Sequence, residues 1–332
     1  MTPDRTLRVH VPDLDPATFA GPLAAALDPA VQLVPADAAP GFDVLVAGRP
    51  APGLLAASRR LRLLVVPYAG VPAATIELLR ARPHVALSNL HHNAAPTAEL
   101  AVALLLAAGK RLVPIDAALR RHDWTPRYAA DRSLLLAGRT ALIVGFGAIG
   151  RRVGAACRGL GMRVVGVRRQ PAPVPAVADG QGSTGIEEVG PEALDRLLPC
   201  AAALVLCVPT TAATRGLIGA RELARLPDGA VLVNVARGEV VDENALHAAL
   251  ASGRIAAGLD VWYRYPAGPD TRRRTPPAHR SFESLDNVVM SPHRAGHCAD
   301  TERLRAEHLA RLLNAVASGA PPPNRVDLDL GY

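Results

Sequence analysis

The stretch that most restricts the fold is Gly145-Phe146-Gly147-Ala148-Ile149-Gly150. It follows the apolar run Ala141 to Val144 and opens a segment of helical composition. The glycine spacing alone is a weak signal; its place between a strand and a helix makes it physical. Gly145 permits a tight turn, Gly147 lets a pyrophosphate approach the backbone, and Gly150 lets helix and strand pack closely. The free N–H groups of the helix start then offer positive potential to phosphates. Residues 145, 147, 148, 149 and 150 are therefore expected to hold a dinucleotide.

An alternation of short β-branched runs with Ala/Leu-rich segments surrounds this turn. Leu7 to Val11, Asp43 to Ala47, Leu63 to Val66 and His84 to Leu87 read as buried strands, with helices at Pro16 to Leu27 and Pro72 to Arg80. After Arg139 come six further strand candidates, Ala141 to Val144, Arg163 to Val167, Ala203 to Val208, Ala230 to Asn234, Ile255 to Asp260 and Asn287 to Met290. Regular alternation implies an α/β fold of two Rossmann-like or flavodoxin-like domains with parallel sheets covered on both faces. Thr97 to Ala108, almost wholly apolar and closed by Gly109, predicts a long buried helix bridging the domains, with Glu99 structural. Leu304, His308, Leu309, Leu312 and Val316 share one helical face before Gly319 and a triple proline. That last helix is expected to return to the first domain. The expected division is residues 1–98 with 297–332 for substrate and 99–296 for the dinucleotide, with the active site in the interdomain cleft. Gln170 to Gly185 and Tyr265 to Ser281 read as surface loops, and Arg120 to Arg139 as an exposed excursion or a subunit contact.

Composition narrows the function. The 332 residues carry a net charge of +7, but arginines are interspersed with 30 acidic residues and aromatics make up only 3%. There is no continuous basic stripe with stacking platforms, so nucleic acid is not an expected partner. Cys157, Cys200, Cys207 and Cys298 lack CxxC spacing, which indicates neither zinc nor a disulfide framework; no metal is expected. No apolar run reaches the ~18 residues of a membrane span, and the first residues have no apolar signal core. The expectation is a cytoplasmic protein without membrane association.

Where an NAD-binding fold usually places an acidic residue for the ribose 2′-hydroxyl, this chain has Arg168 and Arg169. A guanidinium pairs with a 2′-phosphate that a carboxylate would repel, which favours NADP over NAD.

Downstream, the residues match a family as well as a fold. Thr97-Ala98-Glu99, Val208-Pro209-Thr210, Thr214-Arg215-Gly216-Leu217-Ile218, Asn234 through Glu243, Ala257-Gly258-Leu259-Asp260-Val261 and Ser291-Pro292-His293 together resemble the D-isomer-specific 2-hydroxyacid dehydrogenases. The resemblance covers residues 60 to 300; before that it is one of pattern only. It implies NAD(P)-dependent reduction of a 2-oxo acid, or the reverse. Arg237 would clamp the substrate carboxylate and carbonyl, and His293 would act as general acid/base. Backbone amides around Tyr68, Ala69, Gly70 and Val71 would hold the carboxylate. Thr97, Val208, Pro209, Thr214, Val235, Ala236, Asp260 and Ala295 would join the glycine turn and Arg168 and Arg169 around the dinucleotide, with Asp260 at the nicotinamide carboxamide. It also implies a homodimer formed through Arg111 to Leu136.

The family pattern breaks at one place. The glutamate expected five residues after Asp260, partner of the histidine, is here Tyr265. A phenol titrates near pH ~10 and brings no charge at neutral pH. Either Tyr265 replaces the glutamate and orients His293, the favoured reading, or Asp270, Glu283 or Asp286 supplies the carboxylate from the following loop. His91 and His92 precede the bridge helix, either as solvated loop residues or as recognition for a second substrate anion. Two functional alternatives stay open: hydride transfer on a phosphorus-containing acid such as phosphonopyruvate or phosphite, and a weakly active dinucleotide-sensing scaffold.

Overall fold

The computed structural model describes residues 6–12, 19–39, 41–130, 133–171 and 186–332. Residues 172–185 of the expected loop and 16–18 of the first expected helix lie outside that set. The chain forms two compact units, residues 1–93 with 297–332, and residues 94–296.

The first unit begins with β1 (Leu7–His10), α1 (Gly21–Ala26), β2 (Val31–Leu33), β3 (Val44–Val46) and α2 (Pro52–Ala56), followed by β4 (Leu63–Val66), α3 (Ala73–Arg80) and β5 (Ala86–Asn89). Its five strands are parallel in the order β2-β1-β3-β4-β5. Strand direction of crossover changes between β1 and β3, which is the switch point of the sheet. The apolar runs are unbroken because both faces are covered. In β4, Leu63 and Val65 face one core and Leu64 and Val66 the other.

The second unit opens with α4 (Ala94–Gly109), then α5 (Leu112–Leu119) and α6 (Thr125–Tyr128). Its remaining elements are β6 (Thr140–Val144), α7 (Ala148–Gly159), β7 (Arg163–Val167), β8 (Glu187–Val189), α8 (Leu194–Leu197), β9 (Ala201–Leu206), α9 (Ala220–Arg225), β10 (Val231–Asn234), α10 (Glu243–Ala251), β11 (Ala256–Leu259) and β12 (Val288–Met290). The seven parallel strands run β12-β11-β10-β9-β6-β7-β8, so the switch point lies between β6 and β9. The division between units falls at Asn93 rather than residue 98 because α4 is one uninterrupted helix packed on this sheet. Gly258 of β11 makes that contact possible: a Cβ there would lie 2.6 Å from the Leu104 Cβ.

The final helix, α11 (Thr301–Ala317), belongs to the first unit. Its Ala306, Leu309, Ala310, Leu312 and Leu313 are buried against β1, β3 and β4 residues and Leu23 of α1. Beyond it, Val326 donates its amide to the Leu87 carbonyl at 2.8 Å and is buried in the opposite core.

Candidate active site

In the second unit, the expected dinucleotide residues follow the carboxyl ends of β6, β7, β9, β10, β11 and β12, apart from Thr97 in the first turn of α4. Gly145 has φ +97°, and a Cβ on it would sit 2.6 Å from the Cys207 carbonyl carbon, where the chain leaves β9. Only glycine fits that turn. At Gly150 a Cβ would lie 2.2 Å from the Gly145 carbonyl oxygen, so the first turn of α7 presses on the strand end. Gly147 differs: a Cβ would meet nothing within 4 Å, so its backbone is open to an approaching group. The first-turn amides of α7 have no intrahelical acceptors. This cradle fits the pyrophosphate of a dinucleotide. Across the switch point, the Thr214 hydroxyl donates to the Pro209 carbonyl at 2.6 Å and accepts from the Thr211 amide at 2.8 Å, which fixes the loop after β9.

At the end of β7, Arg168 lies 3.5 Å from Glu188 of β8, and Arg151 of α7 lies 2.8 Å from the same carboxylate. The Arg151 guanidinium also stacks over Phe146 at 5.2 Å. Two guanidinium groups thus share one nearly buried carboxylate, leaving the cluster cationic. Neither Arg151 nor Glu188 is evident from sequence, because Glu188 falls beside the apparent loop and its strand has only three residues.

The catalytic candidates come from three neighbouring strand ends. Asn234, buried at the end of β10, accepts the Ala236 amide at 3.0 Å and donates to the Arg237 carbonyl at 3.0 Å. That bracket shapes the turn carrying Val235, Ala236 and Arg237. A Cβ at Gly238 would lie 2.3 Å from the Trp262 carbonyl oxygen, which draws this turn against the segment after β11. Asp260 is buried, and its carboxylate accepts from the Ser291 hydroxyl at 2.5 Å, the Arg294 amide at 2.9 Å and the Ala295 amide at 3.0 Å. The Asp260 carbonyl takes the His293 amide at 2.7 Å. His293 itself has φ +54°, a left-handed conformation that costs free energy for a non-glycine residue and persists where the surroundings fix it. Asp260 therefore organises the turn that displays His293.

Tyr265 lies beside His293, with ring centroids 5.4 Å apart. The two rings are tilted by 55°, and the Tyr265 hydroxyl oxygen accepts the Trp262 amide at 3.1 Å. Burial raises the phenol above its ordinary range; the Trp262 hydrogen bond and nearby Arg237 act in the opposite direction. Tyr265 is thus neutral at physiological pH and in the field of Arg237, so Arg237, Tyr265 and His293 are brought together. Asp270 and Glu283, in the single turns Pro269–Thr271 and Phe282–Ser284, are exposed, and so is Asp286.

In the first unit, the Tyr68–Val71 loop follows β4. The Asn89 side-chain amide donates to the Ala69 carbonyl at 2.6 Å and braces it. Among the described residues, no protein acceptor takes the amides of Ala69, Gly70 or Val71. Donors left in this way suit a carboxylate. His92 is buried rather than solvated, and its imidazole is pushed down to about 4 by burial, then by Arg305, His308 and His91. Thr97 is buried in the first turn of α4, and Glu99 is exposed there. No cluster of three or more His, Cys, Asp or Glu suited to a metal occurs among the described residues. No described helix is long and apolar enough to cross a membrane.

Residues 102–295 match the family model described as D-isomer specific 2-hydroxyacid dehydrogenase, NAD binding domain. The chain is 37% identical over 242 residues to a glyoxylate reductase of Korarchaeum cryptofilum, covering 70% of this chain and 66% of that protein, slightly under two thirds of its length. It is 31% identical over 270 residues to a hydroxypyruvate reductase of Thermotoga maritima, covering 80% and 81% of the two chains. A crystal structure of a D-isomer specific 2-hydroxyacid dehydrogenase from Xanthobacter autotrophicus Py2, in complex with NADPH and MES, superposes with a TM-score of 0.77 at 27% identity, covering 99% of this chain and 100% of that one. With a glycine turn at a sheet switch point and an arginine and histidine at adjoining strand ends, the chain belongs to the D-isomer-specific 2-hydroxyacid dehydrogenase family.

Proposed function

We propose that the chain reduces a 2-oxo acid to a D-2-hydroxy acid, or runs the reverse reaction, with NAD(P) as partner. The carrying observation is the gathering of Arg237 and His293 around Tyr265 at the carboxyl end of a dinucleotide-type sheet. The relatives named as glyoxylate and hydroxypyruvate reductases support the same substrate class. When bound, the dinucleotide supplies or accepts the hydride. The Ala69–Val71 amides hold the substrate carboxylate. The Arg237 guanidinium polarises the C2 carbonyl and stabilises negative charge on its oxygen. His293 gives that oxygen a proton in reduction and takes it back in oxidation. Tyr265 positions the imidazole by ring contact.

The cationic cluster of Arg151 and Arg168 around Glu188 favours NADP over NAD, in keeping with the NADPH in the Xanthobacter structure. The first unit serves the substrate and the second the dinucleotide. The exposed apolar side chains of α5 and α6 support a homodimer, and four free thiols suit a reducing cytoplasm. The test is oxidation of NADH and of NADPH with glyoxylate, hydroxypyruvate, pyruvate and phosphonopyruvate. Arg237→Ala and His293→Ala should each lower kcat/KM by about 100-fold or more. Arg168→Ala should lower the preference for NADPH. Dinucleotide binding without turnover of any acid would replace this reading with the sensing scaffold.

A further inference from the structure

A cavity of about 640 Å³ lies entirely within the first unit, where β1 and β3 end. Val11 follows β1, while Val46 and Ala47 end β3, so the opening sits at the switch point of that sheet. This is the place where open parallel sheets bind ligands, and the volume is within the ~300–1,000 Å³ of small-molecule sites. Phe19, Val46 and Pro67 give it one apolar side, and Tyr68 links it to the loop whose amides are left for a carboxylate. The Tyr68 phenol is laid over Gly48, where a Cβ would come within 2.0 Å of its oxygen.

Among the described residues, three charged side chains line the cavity, Arg49, Glu302 and Arg305. Arg49 has no protein partner among the described residues. Arg305 is bonded through Nη1 to Glu302 at 2.9 Å, while its buried Nε has no acceptor. Among the described lining residues, two guanidinium groups face one carboxylate, a balance of one net positive charge. Behind Arg305 lie His308, one helical turn along α11, and the buried His92, whose Nδ1 also lacks a partner. His92, held neutral by burial and by Arg305, adds no charge of either sign. A guanidinium without a protein partner in a partly enclosed recess gains more from an anion than it would in open water. A neutral substrate tail gains nothing from it.

We propose that this cavity receives a second anionic group of the substrate, captured by Arg49 and supported by Arg305, so that the preferred 2-oxo acid is a dianion. The inference rests on the 2-oxo acid reading above. It is tested by calorimetric binding of D-2-hydroxyglutarate, phosphonolactate and D-2-hydroxyvalerate to the full chain, with NADPH present so that no hydroxy acid can react. Either dianion should bind at least about tenfold tighter than hydroxyvalerate, and Arg49→Gln should erase most of the difference. The better of the two dianions identifies carboxylate or phosphonate as the distal group. Equal affinities for all three acids, or a preference that survives both Arg49→Gln and Arg305→Gln, would overturn the proposal. Turnover of 2-oxovalerate separates the two readings: reduction without dianion preference removes only the subsite, and selective dianion binding without reduction of any acid removes only the reaction.

Discussion

Tyr265 carries the largest departure from the family pattern, and its neighbours make the consequence measurable. Because the phenol stays neutral beside His293, the imidazolium receives no Coulomb support from that position. Tyr265→Glu should therefore move the alkaline limb of 2-oxo acid reduction upwards by about one pH unit or more, as an adjacent carboxylate favours the charged ring. A pH–rate profile of the variant checks this. His92 supplies a second titration. Its folded value of about 4 lies below the ~6.5 of an exposed histidine, so the unfolded chain takes up the proton first. The stability contributed by neutral His92 is complete above pH ~6.5 and lost as pH falls towards 4, on the order of 2–3 kcal/mol. Urea melts between pH 7 and pH 4 should show that slope, and His92→Leu should flatten it. These environments were not legible in the sequence. His91-His92 reads as a polar pair in a loop, and burial by α11 is decided more than two hundred residues away. Asp260 was legible as a position, but its three acceptor bonds depend on a turn at Ser291 to Ala295 that spacing does not reveal.

The legible elements were those buried on both faces. β4, β6 and β7 are continuous apolar runs and match their expected spans closely. β2 and β8 were missed because they are three-residue edge strands interrupted by polar residues, Gln32 in one and Glu187 and Glu188 in the other. α2 was missed for a related reason, since Pro52 and Gly53 open it and only Leu55 is buried. α4 was recognised by its unbroken apolar content, which is the same property that lets it lie flat on β10 and β11. Its close seat explains Gly258. Gly258→Ala would place a methyl 2.6 Å from Leu104 Cβ and 3.0 Å from the Leu104 carbonyl oxygen, both on a rigid helix. The substitution should cost about 1–3 kcal/mol, seen as a lower Tm, while an alanine at the solvent-facing Gly53 should cost little.

For the whole molecule, the apolar surface is concentrated on one excursion from the second unit. Leu112, Val113, Ile115 and Leu119 of α5 are 40–57% exposed, and Trp124, Tyr128 and Leu135 extend the patch. The proposed homodimer is tested by light-scattering chromatography: the chain should elute as a dimer, and Leu112→Asp combined with Leu119→Asp should make it elute as a monomer. The connectivity has a further consequence, for the time course of synthesis. Residues 94–296 form a unit that is complete before α11 has been made, whereas Leu7, Val9, Val44 and Leu63 reach their core only once Leu309, Leu312 and Leu313 arrive. On the ribosome, then, the earlier segment closes its core after the later one, and its exposed parallel strands must stay free of mispairing while the later unit folds ahead of them.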